Sequence, residues 1–117
     1  MASTAPESEI DGVLRALADG NRRAILSAVK RGPLPVGEVA DAVGVSQQTA
    51  SHHLGVLRDA GLVTATRSGT RHLYAVNADG FSAVRDYLDG FWPARLAALR
   101  DAVESTVEST VEEEQDA

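Results

Sequence analysis

The chain has 117 residues, no cysteine and a formal charge of -6, with 44% hydrophobic and 24% charged residues. This length leaves room for one domain with one core, and the lack of cysteine excludes disulfides, thiolate metal sites and cysteine nucleophiles. No stretch approaches the roughly 20 apolar residues of a membrane span. The first residues lack the basic and apolar segments of a secretory signal, so we expect a cytoplasmic protein without membrane contact.

The acidic charge is concentrated at the two ends of the chain. Residues 1–11 and 101–117 together carry ten acidic residues and no basic one, whereas residues 12–100 carry eleven basic residues against seven acidic ones. A modestly basic middle is compatible with nucleic-acid binding but does not by itself indicate it. We expect a disordered acidic N-terminus over residues 1–8, one domain over 9–104 and an acidic tail over 105–117.

Apolar residues at helical spacing predict three helices in the first part of the chain. The first covers Ile10 to Leu17 after a cap at Ser8, and the second runs from Asn21 to Arg31 with Asp19 as its N-cap. A glycine-proline pair ends the second helix, and a short third helix spans Val36 to Val43.

A tight turn joins the third helix to a fourth. Gly44 closes the third helix, and Ser46 can cap the fourth, which runs from Gln47 to Ala60. Two helices joined by so short a glycine-containing turn cross steeply, which predicts a helix-turn-helix. The inward stripe of the fourth helix consists of Ala50, Leu54 and Leu57.

The rest of the chain predicts a hairpin and two more helices. Residues rich in Val, Thr and Tyr predict strands over Leu62 to Arg67 and Arg71 to Val76, joined by a three-residue polar tip. A fifth helix follows a cap at Asn77 and ends near Leu88. Pro93 suits the first turn of a sixth helix.

The fourth helix presents mostly uncharged polar side chains opposite its apolar stripe. Glutamine can pair with adenine through two hydrogen bonds, serine can donate or accept, and histidine can donate to guanine. The positive end of the helix lies at Ser46, where it favours a phosphate. The candidate DNA-contacting residues of this segment are Ser46, Gln47, Gln48, Thr49, Ser51, His52 and Arg58.

The remaining arginines of interest fall into two pairs. Arg67 and Arg71 flank the hairpin tip, from which both could reach a minor groove or its phosphates; a solvated turn is the alternative. Arg22 and Arg23 lie early in the second helix, where an internal ion pair with Glu38 or Asp41 is as plausible as any other role. We therefore leave the second pair outside the candidate site.

Four segments of the sequence carry a specific family resemblance because they occur in order and at a fixed spacing. They are Leu17 to Leu26, Val36 to Ser46, Ser51 to Val63 and Arg67 to Tyr74. Over roughly residues 9–103 the sequence resembles the ArsR (SmtB/ArsR) family of winged-helix repressors. The resemblance implies a winged helix-turn-helix that is mainly α with a small antiparallel hairpin. It also implies DNA contact by the wing, and a homodimer that represses a promoter until an effector binds.

Apolar residues near the two ends of the domain indicate how it dimerises. Four of the five aromatic residues lie between Phe81 and Trp92, and a protomer of this size has little core of its own to cover them. We expect dimerisation through the N- and C-terminal helices, with an effector pocket near Trp92 as the alternative use. The candidate dimer residues are Ile10, Val13, Leu14, Leu17, Tyr87, Phe91, Trp92, Leu96, Leu99 and Val103.

The three histidines do not predict a metal site. His52 and His53 point about 100° apart on a helix and cannot face one ion, and His53 is typical of a partly buried structural histidine. Metal sites of the resembled family use cysteines in the third helix or Asp and His pairs in the dimer helices, and this sequence has neither. We expect no metal and no cofactor, and a release signal of unknown, non-metal nature.

These observations favour a sequence-specific repressor that binds double-stranded DNA as a homodimer at an inverted-repeat operator. The alternative is a winged-helix module used for protein-protein contacts. An enzyme is not expected, because Ser51 and His52 are helix neighbours that do not face each other. A phosphate-binding glycine loop and paired carboxylates are also missing from the sequence.

Overall fold

The computed structural model describes residues 5–92 and 98–106, with side chains from residue 9 onward. The chain divides into two compact units, Met1–Val84 and Arg85–Ala117. The elements are helices α1 (Ala5–Leu17), α2 (Gly20–Val29), α3 (Val36–Val43) and α4 (Gln47–Asp59), strands β1 (Val63–Ser68) and β2 (Arg71–Val76), a 3-10 turn (Ala78–Phe81) and helix α5 (Ser82–Asp89). Residues 98–106 are also helical.

The start of α1 differs from the prediction. The helix begins at Ala5, so Ser8 lies inside it and the predicted helix start at Ser8 is wrong. Pro6 falls in the first turn, where the missing N–H of a proline costs no hydrogen bond. The sequence therefore allows the helix to begin one turn earlier than the apolar pattern suggests.

Asp19 caps α2, as predicted. Its carboxylate accepts hydrogen bonds from the backbone N–H of Asn21 at 2.8 Å and of Arg22 at 3.2 Å. The bond from the Arg22 backbone is the largest cause that holds the pKa of Asp19 below its usual value. The helix ends at Val29, two residues before the predicted end at Arg31.

The turn of the helix-turn-helix lies where it was predicted, between the end of α3 at Val43 and the start of α4 at Gln47. Gly44 adopts φ 79° and donates its N–H to the carbonyl of Ala40 at 2.8 Å, so it closes α3 in the left-handed conformation. Ser46 caps α4 by accepting from the N–H of Thr49 at 3.1 Å. The predicted inward stripe of α4 is confirmed, since Ala50, Leu54 and Leu57 are fully buried.

One apolar core joins α1, α2, α3, α4, the start of β1 and the start of α5. Its largest fully buried side chains come from α2, α3, α4 and the residue just before β1. The buried apolar residues are Val13, Ala16, Ile25, Leu26, Val29, Val39, Ala40, Ala50, Leu54, Leu57, Leu62, Val63 and Val84. The core thus fixes α4 on its apolar side and leaves the opposite side to solvent.

The hairpin is antiparallel and its turn is tighter than predicted. Ser68 pairs with Arg71, so the turn contains two residues, Gly69 and Thr70, where three were predicted. Gly69 has φ 64° at the first central position, which is the requirement of a type II′ turn. The hairpin forms the wing of the helix-turn-helix.

A short bridge anchors the base of the wing to the segment before α3. Leu34 donates its N–H to the carbonyl of Tyr74 at 3.0 Å and accepts from the N–H of Tyr74 at 2.8 Å. Pro33 and Pro35 flank Leu34, so Leu34 alone in this tripeptide has an N–H to donate. Leu34 thus pairs with β2 like a third strand of one residue.

The segment after β2 returns to the end of α4. Asn77 was predicted to cap the fifth helix, but its side-chain amide donates to the carbonyl of Gly61 at 2.9 Å, so that prediction is wrong. Gly80 packs so closely that a Cβ there would collide with the carbonyl of Gly61. The chain consequently passes through a 3-10 turn before α5 begins.

The second unit exposes large apolar side chains. Tyr87 and Phe91 contact edge to face, with ring centroids 5.0 Å apart, and Phe91 is 67% exposed. Trp92, Leu99 and Val103 are also exposed. Pro93 and Leu96, and with them the predicted start of the sixth helix, lie outside the described residues, as does the tail beyond residue 106. Within the described ranges, no helix is both long and apolar enough to span a bilayer.

Candidate nucleic-acid interface

The solvent side of α4 carries the predicted polar face. At 100° per residue, Gln48, Ser51, His52 and Gly55 fall along one stripe opposite the buried residues, and all four are exposed. We call this set the reading stripe. Its side chains offer hydrogen-bond donors and acceptors and include no lysine, arginine or carboxylate, which suits base edges better than phosphates.

The N-terminal end of α4 is built around Ser46 and Thr49. The Ser46 hydroxyl accepts from the Thr49 N–H and also donates to the Thr49 hydroxyl at 2.9 Å. Both residues are exposed. The positive end of the helix dipole therefore lies beside the reading stripe, where an anionic backbone would be stabilised.

Gln47 occupies the edge of this surface. A Cβ added at Gly37 of α3 would lie 3.2 Å from the Gln47 side-chain nitrogen, so this amide packs against α3. The first helix of the helix-turn-helix therefore helps to orient Gln47. A larger residue at position 37 would have to displace it.

The C-terminal end of α4 carries one charge of each sign. Arg58 and Asp59 are adjacent and exposed, and Asp59 lies eleven residues, or about three turns, from Gln48. Asp59 thus falls on the reading stripe and repels phosphate, although the sequence prediction did not include it. The N-terminal half of α4 is the part that suits DNA.

The two wing arginines lie on opposite faces of the hairpin. Arg67 pairs with His72 across the strands, whereas Arg71 pairs with Ser68, and cross-strand partners share a face. Arg67 and Arg71 are both exposed, and the Arg67 Nε donates to the Gly69 carbonyl at 3.2 Å. The wing can therefore present one guanidinium on each side.

Arg22 and Arg23 do not form the predicted ion pairs with Glu38 or Asp41 of α3. The Arg22 Nε and Nη2 donate to the carbonyls of Ala16 at 2.7 Å and Arg15 at 2.9 Å, and Arg23 donates to the carbonyl of Leu17 at 2.7 Å. The last carbonyls of a helix have no partner within it, and these arginines satisfy those of α1. Because both arginines bind carbonyls of α1, the predicted ion pairs with acidic residues of α3 are wrong.

The three histidines occupy different environments, although the rings of His52 and His53 lie 5.6 Å apart between centroids. His53 is buried in the core side of α4, His52 is exposed on the reading stripe, and His72 lies on the wing. The part of the chain with described side chains contains no group of three or more His, Asp or Glu residues arranged to hold a metal ion.

The candidate dimer residues of α1 differ in exposure. Leu14 is 46% exposed, whereas Val13 is 3% exposed and belongs to the protomer core. Ile10 and Leu17 are partly buried against that core. Of the four candidates in α1, Leu14 therefore has the side chain most open to a partner, and Val13 is already covered within the protomer.

A helix-turn-helix followed by a two-stranded wing defines the winged helix-turn-helix class of proteins. A family model described as a helix-turn-helix domain matches residues 17–65. The HTH-type transcriptional regulator Rv2034 of Mycobacterium tuberculosis is 41% identical over 100 residues, which cover 86% of this chain and 94% of the relative. The chain belongs to the ArsR (SmtB/ArsR) family of winged helix-turn-helix transcriptional regulators.

Two further relatives carry informative names. An arsenical resistance operon repressor of Staphylococcus xylosus is 32% identical over 81 residues, 69% of this chain and 78% of the relative. The solution structure of Mb0332 from Mycobacterium bovis is described as a homodimeric winged helix-turn-helix DNA-binding domain. It is 33% identical with a TM-score of 0.62, and the match covers 80% of this chain and 94% of that domain.

Proposed function

We propose that this protein is a homodimeric transcriptional repressor that binds an inverted-repeat operator through α4 and the wing. The reading stripe carries the proposal, because uncharged donors and acceptors occupy the exposed side of a rigid helix whose other side is fully buried. Gln48, Ser51 and His52 would contact base edges in the major groove. Gly55 adds no side chain there and allows the helix backbone to approach the DNA.

Phosphate contacts would surround these base contacts. Ser46 and Thr49 lie at the positive end of α4, where hydroxyl groups and the helix dipole both favour a phosphate. Arg58 would contribute less than the wing arginines, because the neighbouring Asp59 offsets its charge. Gln47 would contact DNA from the α3 side of the stripe.

The wing would extend the contact along the duplex. Arg67 and Arg71 project from opposite faces of the hairpin, so one can approach the minor groove while the other reaches a flanking phosphate. The Leu34–Tyr74 bridge would hold the wing base in place during this contact.

A partner protomer would cover the exposed apolar residues of each unit. Leu14 in the first unit and the aromatic residues of the second are the surfaces a dimer would bury. The homodimeric relative supports this assembly. Two copies of α4 about 34 Å apart would then enter successive major grooves, which gives an operator with two inverted half-sites.

The proposed release signal is not a metal ion. The sequence contains no cysteine, and the described side chains include no group of three or more His, Asp or Glu residues placed to hold a metal ion. Loss of DNA affinity on addition of Zn²⁺, reversed by a chelator, would contradict this part of the proposal.

Selection of bound sequences from random duplex DNA, followed by titration at increasing salt, tests the proposed function. The logarithm of the binding constant should fall linearly with the logarithm of salt concentration. Arg67→Ala with Arg71→Ala should reduce the slope by about 0.9 for each phosphate that these arginines neutralise. Arg85→Ala is the matched control, because it removes an exposed arginine of α5 outside the proposed interface. Equal, weak binding to every duplex would contradict the proposal, and no DNA binding at all would favour the protein-contact module.

A further inference from the structure

The side chain of Arg22 joins three helices. From its place in α2 it donates to the last carbonyls of α1, at Ala16 and Arg15, and its Nη1 lies 3.4 Å from the Nδ1 of His53 in α4. The same nitrogen lies 3.9 Å from the Asp19 carboxylate. Only 16% of the Arg22 side chain is exposed, so it is largely enclosed between these helices. We call Arg22 and the groups it contacts in α1 and α4 the joint.

His53 is the α4 member of this joint. It is 8% exposed on the side of α4 that faces the core, next to His52 on the reading stripe. A guanidinium has only donors, so a hydrogen bond between the two side chains requires the Nδ1 of His53 to accept from the Arg22 Nη1. The contact therefore ties the orientation of a ring on the proposed recognition helix to the Arg22 side chain.

We propose that Arg22 and His53 are positioning residues for DNA reading, which set the orientation of α4 relative to the C-terminal end of α1. The inference rests on the proposed function, because it assigns a cause to the placement of the reading stripe. Arg15 and Ala16, whose carbonyls Arg22 holds, directly follow Leu14 of the proposed dimer surface. A shift of α1 at that surface would be passed to α4 through the Arg22 side chain, in addition to the direct packing of the two helices in the core.

Asp19 stabilises the joint from the N-terminus of α2. Its carboxylate caps the helix through the backbone of Arg22 and lies close to the Arg22 side chain. The backbone bond and the nearby guanidinium both act to lower the pKa of Asp19, so the carboxylate stays charged beside Arg22. Asp19 thus contacts both the backbone N–H and the guanidinium of Arg22.

Arg23 provides a matched control. It is the next residue of α2, it also donates to an α1 carbonyl, that of Leu17, and it is exposed. Within the part of the chain that the structure describes, Arg23 forms no hydrogen bond to α4. Arg23→Gln therefore removes one positive charge and one bond to α1 but leaves the joint to α4 intact.

The test compares binding of the full-length protein to its selected operator duplex and to a scrambled duplex at one salt concentration. Arg22→Gln should weaken operator binding by about tenfold, the loss expected for one misread base pair, and leave scrambled-duplex binding unchanged. Arg23→Gln should leave both unchanged. Weaker binding to the operator alone separates misplacement of α4 from the removal of a phosphate-binding charge, which would weaken both duplexes.

A pair of His53 variants tests the same joint from α4. His53→Asn keeps an acceptor near the Nδ1 position and should retain operator discrimination, whereas His53→Leu removes the acceptor and should weaken operator binding as much as Arg22→Gln does. Arg22→Gln combined with His53→Leu should be no worse than either alone, because both break the same interaction. If Arg22→Gln does not fold, the His53 pair decides the question.

Three outcomes would overturn the inference. Arg22→Gln and His53→Leu could keep full discrimination and lose only thermal stability, they could weaken both duplexes equally, or His53→Asn could behave like His53→Leu. A wild-type protein that does not discriminate the two duplexes would instead contradict the proposed function, so the two failures are distinguishable.

Discussion

Ser46 shows how one hydroxyl can serve both folding and binding. It caps α4 through the Thr49 N–H, at the end of the helix that we propose lies nearest the DNA phosphates. Ser46→Ala should lower the free energy of unfolding by about 0.5 to 2 kcal/mol, the usual cost of removing an N-cap. Urea denaturation measures this cost. Ser51→Ala, in the exposed interior of the same helix, should not destabilise the protein, and equal losses of stability for both variants would contradict the role of the cap.

Asp19 adds a pH-dependent contribution at the start of α2. Because the pKa of the folded state lies below the ordinary value of 3.8, the charged carboxylate stabilises the fold at neutral pH. That contribution is present above the ordinary pKa and disappears as the pH falls through the pKa of the folded state. Asp19→Asn keeps a capping oxygen without the charge, so wild type should be the more stable near pH 6 and the difference should close as the pH falls below 3.8. Urea midpoints across this range measure the difference, and a gap independent of pH would contradict the assignment.

At the scale of elements, α4 combines a buried stripe with a surface shaped for close approach. Gly55 lies in the helix interior, with open space where the Cβ of a larger residue would lie. Gly55→Ala should raise the free energy of unfolding by about 0.5 to 1 kcal/mol, because glycine is a poor helix former. The methyl group that alanine adds should also weaken operator binding, because it would lie between the helix and the bound DNA.

Gly12→Ala is the control for that prediction. Gly12 is also a helical glycine with open space where a Cβ would lie, but it belongs to α1 and lies outside the proposed DNA interface. The Gly12→Ala variant should show a similar rise in the free energy of unfolding and no change in operator affinity. Unchanged operator binding by Gly55→Ala would show that α4 does not approach the DNA as closely as we propose.

The helices were predictable from sequence because their signals are local. Ala50, Leu54 and Leu57 mark the buried stripe of α4 at helical spacing, and Gly44 marks the turn before it. The spacing of Asp59 from Gln48 was equally visible and would have placed an acidic residue on the reading stripe. Local patterns thus contained most of the fold and part of the site.

The faces of the wing and the joint at Arg22 were not predictable in the same way. A turn of two residues, in place of three, shifts the hairpin register by one residue, and such a shift moves side chains to the other face. Arg22 binds carbonyls of α1 and a ring of α4 that lies 31 residues away. Nothing in the local pattern of α2 specifies partners at that distance in sequence.

At the scale of the whole molecule, dimerisation is the property on which operator recognition depends. Leu14 is the exposed apolar side chain of α1. Leu14→Glu should place a charge in the proposed interface and shift the protein from dimer to monomer in sedimentation experiments, with a parallel loss of operator affinity. Ala24→Glu adds the same charge to an exposed position of α2 and should remain dimeric. A dimeric Leu14→Glu protein with full operator affinity would contradict the role of α1.

The spacing of the two half-sites tests the central claim, that a symmetric dimer sets two α4 helices in successive major grooves. Binding of the wild-type protein would be measured to the selected operator, to the same duplex with five base pairs inserted between its half-sites, and to a duplex with one half-site. The insertion places the half-sites on opposite sides of the helix, since one turn is about 10 base pairs. We predict that the inserted duplex binds no better than the single half-site. Undiminished affinity for the inserted duplex would show that the protomers bind independently and would contradict the claim.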